Sequence, residues 1–258
     1  MPLINMRLAR PSVLIDLNRV RALDYIKTDN GTIRIGALTR QRAVERSLVV
    51  AARLPLLVEA LRFVGHPQIR NRGTIGGSLA HADPAAELPA VAAALGATFV
   101  VQRGLRGKTA QRLLSPEEFF VSYLSTALEP VEVLTEIRFP ATAREVGHAF
   151  VEVSRRHGDF ALVGAAAVVR LDGERLSRSV RLAFTGVGPT PVRIPEVEAA
   201  VEGRQLDGKI LAEVERLVAA RLQPESDIHA TADYRRHVGG VLARRALQTA
   251  AAQVGVAS

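Results

Sequence analysis

Hydrophobic and polar positions alternate differently in the two parts of the chain. Up to about residue 142, short apolar stretches are separated by glycine and proline, which is typical of short strands and helices joined by turns. This part predicts an extended segment at 11–17, strands at 22–26, 32–35, 97–102 and 132–139, helices at 39–47, 55–65, 83–95 and 116–123, and a glycine-rich loop at 66–89.

From residue 143 onward the apolar stretches are longer, and helical periodicity follows them. They predict strands at 148–156, 159–171 and 179–188, and then helices at 196–202, 208–221 and 231–253. Three antiparallel strands need a cover on their apolar face, which these helices would supply. The sequence therefore predicts an α+β fold with two domains, 1–142 and 143–258, of which the second is a three-stranded antiparallel sheet packed with helices.

Residues with special backbone preferences mark where the predicted elements begin and end. Asn-Gly and Asp-Gly pairs favour tight hairpin turns, polar side chains cap helix starts, and glycine closes helix ends. The predicted markers are the hairpin pairs Asn30-Gly31 and Asp172-Gly173, the N-caps Thr39, Asp83 and Ser115, and the closing glycines Gly65 and Gly96.

Composition and charge narrow the class of protein. With 48% hydrophobic residues in 258, the chain can bury a core of its own, which excludes a disordered protein. The net charge of +8 comes from 34 basic and 26 acidic residues, and all but three of the basic residues are arginines. These are spread along the chain and aromatic residues are only 4%, so nucleic-acid binding is not expected.

Cysteine and apolar runs bear on location and cofactor chemistry. The chain has no cysteine, which excludes disulfides, thiolate metal sites and iron–sulfur ligation by this chain itself. No apolar run reaches the ~18 residues of a membrane span, and the charged N-terminus does not resemble a secretory signal. We therefore expect a cytoplasmic protein without a membrane span.

The glycine-rich loop is the segment best suited to binding an anion. Gly76-Gly77 leaves the backbone open to close approach, and the hydroxyls of Thr74 and Ser78 flank it. The predicted helix starting at Pro84 would direct its positive end towards the same region. These features suit a pyrophosphate, although an ordinary glycine loop between a strand and a helix would show the same residues. The pattern is not GxGxxG, so a Rossmann fold is disfavoured.

Several motifs resemble one family along the whole chain and in the same order. They are RLARPSVLIDLNRV, IRIGALTRQRAV, HPQIRNRGTIGGSLAHADPAAELPAVAAALGA, EVLTEIRFP, SRRHGDFALVGAAAVV and DYRRHVGGVLARRAL. The chain resembles the FAD-binding medium subunit of molybdenum hydroxylases, a family that includes xanthine dehydrogenase and aerobic carbon monoxide dehydrogenase. The resemblance implies an N-terminal FAD-binding domain of the vanillyl-alcohol-oxidase (PCMH-like) type, truncated at its start.

The family resemblance also implies a division of labour between subunits. A large partner subunit would hold the molybdenum cofactor, and a small partner would hold two [2Fe–2S] clusters, in a dimer of heterotrimers. This chain would bind FAD and pass electrons to an external acceptor. Such a role needs no acid–base pair, so we assign no catalytic residue, and the isolated His66, His81 and His157 give no reason to expect a metal site.

Ten residues match the cofactor-binding positions of the family. The family pattern has a first diglycine motif just before the position that Pro2 occupies here, and this sequence lacks that motif. The TIGGS motif (74–78) is then the one pyrophosphate loop that the resemblance assigns. By resemblance, Asp159 and Phe160 lie near the isoalloxazine, where the carbon monoxide enzymes have tyrosine in place of Phe160. The implied contacts are Thr74, Ile75, Gly76, Gly77 and Ser78 for the pyrophosphate, Glu87 for the sugar-alcohol chain, Leu134 near the adenine or its ribose, and Val64 in an apolar pocket.

The absent first diglycine motif leaves two interpretations. Met1 is an internal methionine of a chain about 30 residues longer, or the chain is short and binds FAD weakly because backbone hydrogen bonds to the pyrophosphate, worth about 1.5–3 kcal/mol each, are lost. The second interpretation leads to the alternative function of a flavin-free structural subunit.

Two arginine motifs also have alternative roles. Arg155-Arg156 is either a solvated strand end or a guide for an anion. The motif Tyr234-Arg235-Arg236 at the start of the last helix serves either helix capping and packing between the two domains or subunit docking.

Overall fold

Two antiparallel sheets organise the chain, and helices lie between and outside them. The computed structural model describes residues 2–105, 108–143 and 145–254, so the outer limits of the two predicted domains, Met1 and Ser258, lie outside the described residues. The elements up to the first sheet's last strand are α1 (Pro2–Asn5), β1 (Ile26–Asp29), β2 (Thr32–Gly36), α2 (Gln41–Arg46), α3 (Leu48–Arg53), α4 (Pro55–Leu61), α5 (Pro67–Arg72), α6 (Ile75–His81), α7 (Glu87–Leu95), β3 (Thr98–Leu105), β4 (Lys108–Leu114), α8 (Pro116–Phe119), β5 (Phe120–Ser122), β6 (Ser125–Thr126) and β7 (Val133–Pro140).

The remaining elements form the second sheet and its helical cover. They are β8 (Val146–Ser154), β9 (Ala161–Leu171), β10 (Ser177–Thr185), β11 (Val192–Arg193), α9 (Pro195–Val201), α10 (Gly208–Arg221) and α11 (Ala232–Gln253). The three long strands and the three helices confirm the α+β prediction, and β11 adds a short fourth strand. In the described part of the chain, no helix is long and apolar enough to cross a membrane.

The first sheet has the strand order β1-β2-β7-β3-β4, and every neighbouring pair is antiparallel. Ile35 pairs with Ile137, which pairs with Phe99, and all three side chains are fully buried beneath the helices. The turn at Asn30 and Gly31 is confirmed as a two-residue hairpin, because φ is 45° and 76° at these residues, as a type I′ turn requires.

The second sheet has the order β11-β10-β9-β8 and is buried on both faces. Phe150 and Ala166 belong to the core that contains α4 and α7, whereas Ala165 and Ala167 belong to the core that contains α10 and α11. Successive side chains of a strand point to opposite faces, so alanine on both sides of β9 keeps each helical layer close to the sheet. The second sheet therefore lies between the helices of the two parts of the chain.

The N-terminal segment differs from the prediction. Residues 11–17 belong to no strand, and Val13, Leu14 and Ile15 are exposed. The predicted strand at 22–26 is displaced, because Arg21–Leu23 forms one 3₁₀ turn and pairing with β2 begins only at Ile26. An apolar alternation in a short segment does not fix a strand when no partner strand lies alongside it.

The predicted loop at 66–89 contains two short helices, α5 and α6. Both are at most seven residues long. Helix propensity does not predict α6, because two of its residues are glycines, which are poor helix formers. The helix predicted from residue 83 begins at Glu87. The Asp83 carboxylate accepts the N–H of Ala85 at 2.9 Å in a tight turn, so it does not cap the helix.

Thr39 does not cap a helix. Its hydroxyl donates to the carbonyl of Tyr25 at 2.9 Å and accepts the Tyr25 N–H at 3.0 Å, and the helix begins at Gln41. The capping box at Ser115 is confirmed, but its helix ends at Phe119 because the next residues pair as β5 with β6.

The predicted hairpin at Asp172-Gly173 is a longer loop, since β9 ends at Leu171 and β10 begins at Ser177. The Asp172 carboxylate accepts the N–H of Glu174 at 3.0 Å and of Leu176 at 2.9 Å.

Helices α10 and α11 approach closely through a diglycine pair. A Cβ at Gly240 would lie 2.4 Å from the carbonyl oxygen of Glu215, and one at Gly239 would lie 2.4 Å from Cδ1 of Leu222. The missing side chains therefore allow close packing, at the cost of about 1 kcal/mol of helix propensity per glycine.

We expect Gly240→Ala to destabilise the protein although alanine is the better helix former. The added methyl group must displace the backbone of Glu215, and overpacking of this kind costs about 1–3 kcal/mol. For a chain of this length, that loss lowers Tm by roughly 2–10 °C. The control is Gly208→Ala at the start of α10, where nothing lies within 4 Å and Tm should not fall. Equal Tm values for Gly240→Ala and the wild type in thermal unfolding would contradict this account.

Candidate functional site

The diglycine segment forms the first turn of α6. Thr74 is the N-cap, and its Oγ1 accepts the N–H of Gly77 at 3.0 Å. The N–H of Ile75 donates to Thr39 at 3.0 Å, and that of Gly76 donates to Ala37 at 2.9 Å. These three N–H groups are therefore paired within the chain, and none of them is open to an anion in this structure.

Glycine is required at positions 76 and 77 for different structural reasons. A Cβ at Gly76 would lie 2.5 Å from that of Ala37, so Gly76 is needed where α6 packs against the residue after β2. Gly77 is exposed, and a Cβ there would meet only the Thr74 side chain, with Oγ1 at 2.7 Å. Gly77 is thus exposed without a side chain, beside the Thr74 hydroxyl that accepts its N–H.

A cleft of about 970 Å³ opens where the turn before α7 meets the second sheet and the segment between α10 and α11. Phe160 is 58% exposed at this cleft, and Asp159 lies beside it. The other lining residues are two single positions, Tyr123 and Arg235, and four stretches of the chain: Asp83, Pro84 and Ala85; Arg155, Gly158, Ala161 and Leu162; Gly186, Gly188 and Pro189; and Gln223, Glu225, Ser226, Asp227 and His229.

The structure brings together only some of the predicted site residues. Asp159 and Phe160 line the cleft together with Asp83–Ala85. Glu87 follows Ala85 by two residues but does not itself line the cleft. Leu134 is buried in β7 opposite Val101, and neither it nor the half-buried Val64 lines the cleft.

Sequence reasoning missed the 223–229 stretch and Tyr123 as parts of the cleft wall. Their contribution depends on contacts between residues far apart in the sequence, and no local pattern marks it.

Arg235 fixes one wall of the cleft. Its guanidinium is buried and donates to the carbonyls of Leu162 and Gly186, at 2.5 and 2.8 Å, and to the Asp227 carboxylate at 2.7 Å. Hydrogen bonds from backbone N–H groups and from Arg235 lower the pKa of Asp227 to about 2, against the opposing effect of burial. These three partners all lie in the C-terminal part of the chain, so the Arg235 contacts do not provide the predicted packing between the two domains. Subunit docking by the motif stays a prediction.

Arg155 also lines the cleft, and its side chain is exposed. Its Nη1 lies 3.4 Å from Nδ1 of His229, so the end of β8 meets the segment between α10 and α11 at this point.

Two carboxyl groups outside the cleft lining, those of Glu87 and Glu152, are shielded from solvent: Glu87 is buried, and Glu152 is half-buried with a buried Oε2. Glu87 is 3% exposed, and burial is the main cause that raises its pKa to about 7. Burial, followed by the nearby charge of Glu87, raises the pKa of Glu152 to about 8. Glu87 was predicted from the resemblance, but Glu152 was not, because no sequence pattern shows which residues face it.

Similarity to known proteins extends over nearly all of the chain. Residues 1–142 match the family model of the FAD binding domain in molybdopterin dehydrogenase, and residues 148–250 match that of the CO dehydrogenase flavoprotein C-terminal domain. The chain is 41% identical to subunit alpha of the 6-hydroxypseudooxynicotine dehydrogenase complex of Paenarthrobacter nicotinovorans, over 96% of this chain and 83% of that protein.

Two further relatives agree with this match. Caffeine dehydrogenase subunit beta of a Pseudomonas species is 37% identical, over 98% of this chain and 85% of its own length. The fold is similar to a solved structure of carbon monoxide dehydrogenase from Hydrogenophaga pseudoflava, with a TM-score of 0.93 and 38% identity, over 98% of this chain and 87% of that one.

We expect Arg235→Met to loosen the cleft wall. The carbonyls of Leu162 and Gly186 lose their charged donor, which costs about 2–4 kcal/mol in total. Thermal unfolding should show the loss, and limited proteolysis should cut the 222–231 segment faster. The control Arg236→Met removes only an exposed pairing with Asp233 and should change stability by less than about 0.5 kcal/mol. Equal effects of the two substitutions would show that Arg235 does not anchor this segment.

Proposed function

Because this chain belongs to the family of FAD-binding medium subunits of molybdenum hydroxylases, we propose that it passes electrons from the [2Fe–2S] clusters of a partner subunit through FAD to an external acceptor. The observation that carries the proposal is the match of both family models, in order, along residues 1–142 and 148–250. We place the boundary between the FAD-binding domain and the second domain at residues 142–143.

The residues of the cleft and of the α6 start fit an FAD molecule. FAD combines a flat aromatic ring system with a doubly charged pyrophosphate, and the exposed Phe160 beside the cleft offers an apolar face of suitable size. Gly77 has no side chain to obstruct an approaching phosphate, and its sequence neighbours Thr74 and Ser78 carry hydroxyls. A Cβ at Gly77 would fill the space next to Thr74.

We assign the cofactor-facing roles as the family pattern suggests. Thr74, Ile75, Gly76, Gly77 and Ser78 would hold the pyrophosphate. The N–H groups of Ile75, Gly76 and Gly77 are engaged inside the protein, so in this conformation the contacts would come from the hydroxyls of Thr74 and Ser78.

Five residues would position the other parts of the cofactor. Glu87 would contact the sugar-alcohol chain, and Leu134 and Val64 would supply apolar surface. Asp159 and Phe160 would flank the isoalloxazine. Phe160 retains the aromatic ring and carries no hydroxyl, so it would act by packing and not by hydrogen bonding.

The chemistry of the subunit is that of its cofactor. Bound FAD supplies two-electron uptake and stepwise release, and the protein supplies binding, orientation and the electrostatic environment. Buried apolar residues of α7 would exclude water from the side of the cleft that faces the core. No residue of this chain needs to form or break a covalent bond.

The subunit would work in a complex with a large molybdenum subunit and a small iron–sulfur subunit. Its relatives are named as medium chains and as subunits of dehydrogenase complexes. Their names refer to a nicotine derivative, caffeine and carbon monoxide, although their identities to this chain differ by only a few per cent. This favours a substrate pocket in the large subunit, with this chain serving a common electron-transfer step in the cytoplasm.

The test is to co-express the chain with its two partner subunits and to follow the flavin. We expect a complex that contains one FAD per copy of this chain and whose flavin absorbance is bleached by the complex's substrate under anaerobic conditions. A complex that assembles and reduces its iron–sulfur clusters without any flavin would support the alternative of a flavin-free structural subunit.

Gly77→Ala should weaken FAD binding with little change in Tm. The added methyl group displaces the Thr74 hydroxyl, so we expect Kd to rise at least about tenfold, or about 1.4 kcal/mol. The loss of the Thr74 cap, worth ~1 kcal/mol, is offset by the ~1 kcal/mol of helix propensity that alanine gains over glycine, so Tm should change little. Quenching of FAD fluorescence by the flavin-free complex measures Kd. The control is Gly104→Ala on β3, where nothing lies within 4 Å and Kd should be unchanged. An unaltered Kd in Gly77→Ala would remove Gly77 from the site.

A further inference from the structure

Two exposed aromatic side chains line the cleft from different parts of the chain. Phe160, directly before β9, is 58% exposed, and Tyr123, in the turn between β5 and β6, is 61% exposed. Aromatic rings contribute most when they are buried, so two rings open to solvent in one cleft favour a surface that a ligand covers. Phe160 is assigned to the isoalloxazine, whereas Tyr123 has no role in the proposed function.

Hydrogen bonds connect the parts of the chain that carry the two rings. The N–H of Leu124 donates to the carbonyl of Ala82 at 3.2 Å, which ties the Tyr123 turn to the end of α6. The Thr185 hydroxyl lies 2.6 Å from the carbonyl oxygen of Pro84, which ties the next part of the same segment to β10. Since β10 pairs with β9, both walls of the cleft are joined through residues 82–84, as in a preformed binding site.

The cleft lining carries an excess of negative charge. Of the two arginines in the described lining, Arg235 is paired with Asp227 at 2.7 Å, which leaves Arg155. Three further carboxylates belong to the lining, those of Asp83, Asp159 and Glu225. Asp83 lies 3.9 Å from Nε2 of His81, whereas the other two are exposed and form no salt bridge within the described residues. A cleft lined mainly by one sign of charge attracts the opposite sign, so anionic ligands are disfavoured here.

The size of the cleft allows more than one ring system. Its volume of about 970 Å³ is at the upper end of the range of ~300–1,000 Å³ that is usual for pockets holding a drug-sized ligand. The isoalloxazine is only the ring part of FAD, so a cleft of this size can hold a second small planar molecule beside it.

We propose that the cleft binds the external electron acceptor directly, and that this acceptor is a planar aromatic molecule without negative charge, of the class of neutral quinones. The proposal rests on the proposed function, because reduced FAD must supply the electrons. Two electrons and two protons pass from the reduced flavin to the quinone, which gives oxidised FAD and the quinol. Tyr123 packs against the acceptor ring, and Glu225 and the neighbouring carboxylates disfavour an anionic acceptor such as a nicotinamide dinucleotide with its two phosphates.

The preferred charge is tested with two probes that share one ring system, 1,4-naphthoquinone and its 2-sulfonate. Both are added in oxidised form to the oxidised complex, so that no electron moves, and equilibrium dialysis measures each Kd. Glu225→Lys should lower the Kd of the sulfonate about three- to tenfold at low salt and leave that of the neutral quinone within about twofold. Added salt should reduce the effect by screening. Glu174→Lys, in the exposed loop between β9 and β10, is the control and should change neither Kd.

The role of Tyr123 is tested by removing its ring and by keeping it. Tyr123→Ala should raise the Kd of both quinones about two- to tenfold, because ring packing is lost, and Tyr123→Phe should bind both as the wild type does. The Kd of FAD, measured by fluorescence quenching on the flavin-free complex, should be unchanged in both variants. Tyr234→Ala is the control, since it removes an exposed ring that does not line the cleft.

Four results would overturn the proposal. They are a neutral quinone that does not bind, a sulfonate Kd that is equal in Glu225→Lys and the wild type at low salt, and quinone binding that Tyr123→Ala leaves unchanged. The fourth is a raised FAD Kd in Tyr123→Ala, which would assign this residue to the cofactor. A complex that holds no FAD would contradict the proposed function, whereas quinone dialysis involves no electron transfer and would still decide whether the cleft binds such rings.

Discussion

The second sheet can be covered on both faces only because the middle of β9 carries small side chains. Gly164 and the three alanines that follow it leave room for α4 and α7 on one side and for α11 on the other. Larger residues at these positions would separate the helices from the sheet, since protein interiors tolerate little extra volume. The position of the cleft, the attachment of α7 through Thr185 and the burial of Glu87 and Glu152 all depend on this close approach.

The arginine-rich composition has a structural explanation. Arg70 donates to the carbonyls of Val64 and Gly65 and to Glu45, and Arg112 contacts both Glu132 and the carbonyl of Ala127. A planar guanidinium with several donors suits such multiple contacts better than an ammonium group does. Much of the positive charge is thus used to hold loops inside the subunit, and the net charge by itself says little about its partners.

Elements with strong local signals could be predicted from the sequence, and elements that depend on distant contacts could not. The apolar spacing that predicts helices at 208–221 and 231–253 is local, and α10 and α11 cover almost the same residues. Residues 83–86 are different, because they are held out of helical geometry by Thr185, about a hundred residues later. The same limit applies to the site. The motif Gly158-Asp159-Phe160 identifies one wall of the cleft from the sequence. The place of the 223–229 stretch and the orientation of Glu152 depend on tertiary packing, which no local pattern shows.

Helix α7 separates two regions of the protein with apolar residues, and this affects how charges on its two sides interact. All nine of its residues are buried, and after Glu87 every one of them is apolar, so the helix forms a dry partition of low dielectric constant. Charges interact across such a medium far more strongly than across water, and dissolved salt scarcely screens them. A unit of charge gained on one side of α7 would therefore be felt on the other at nearly the same strength in dilute and in concentrated salt.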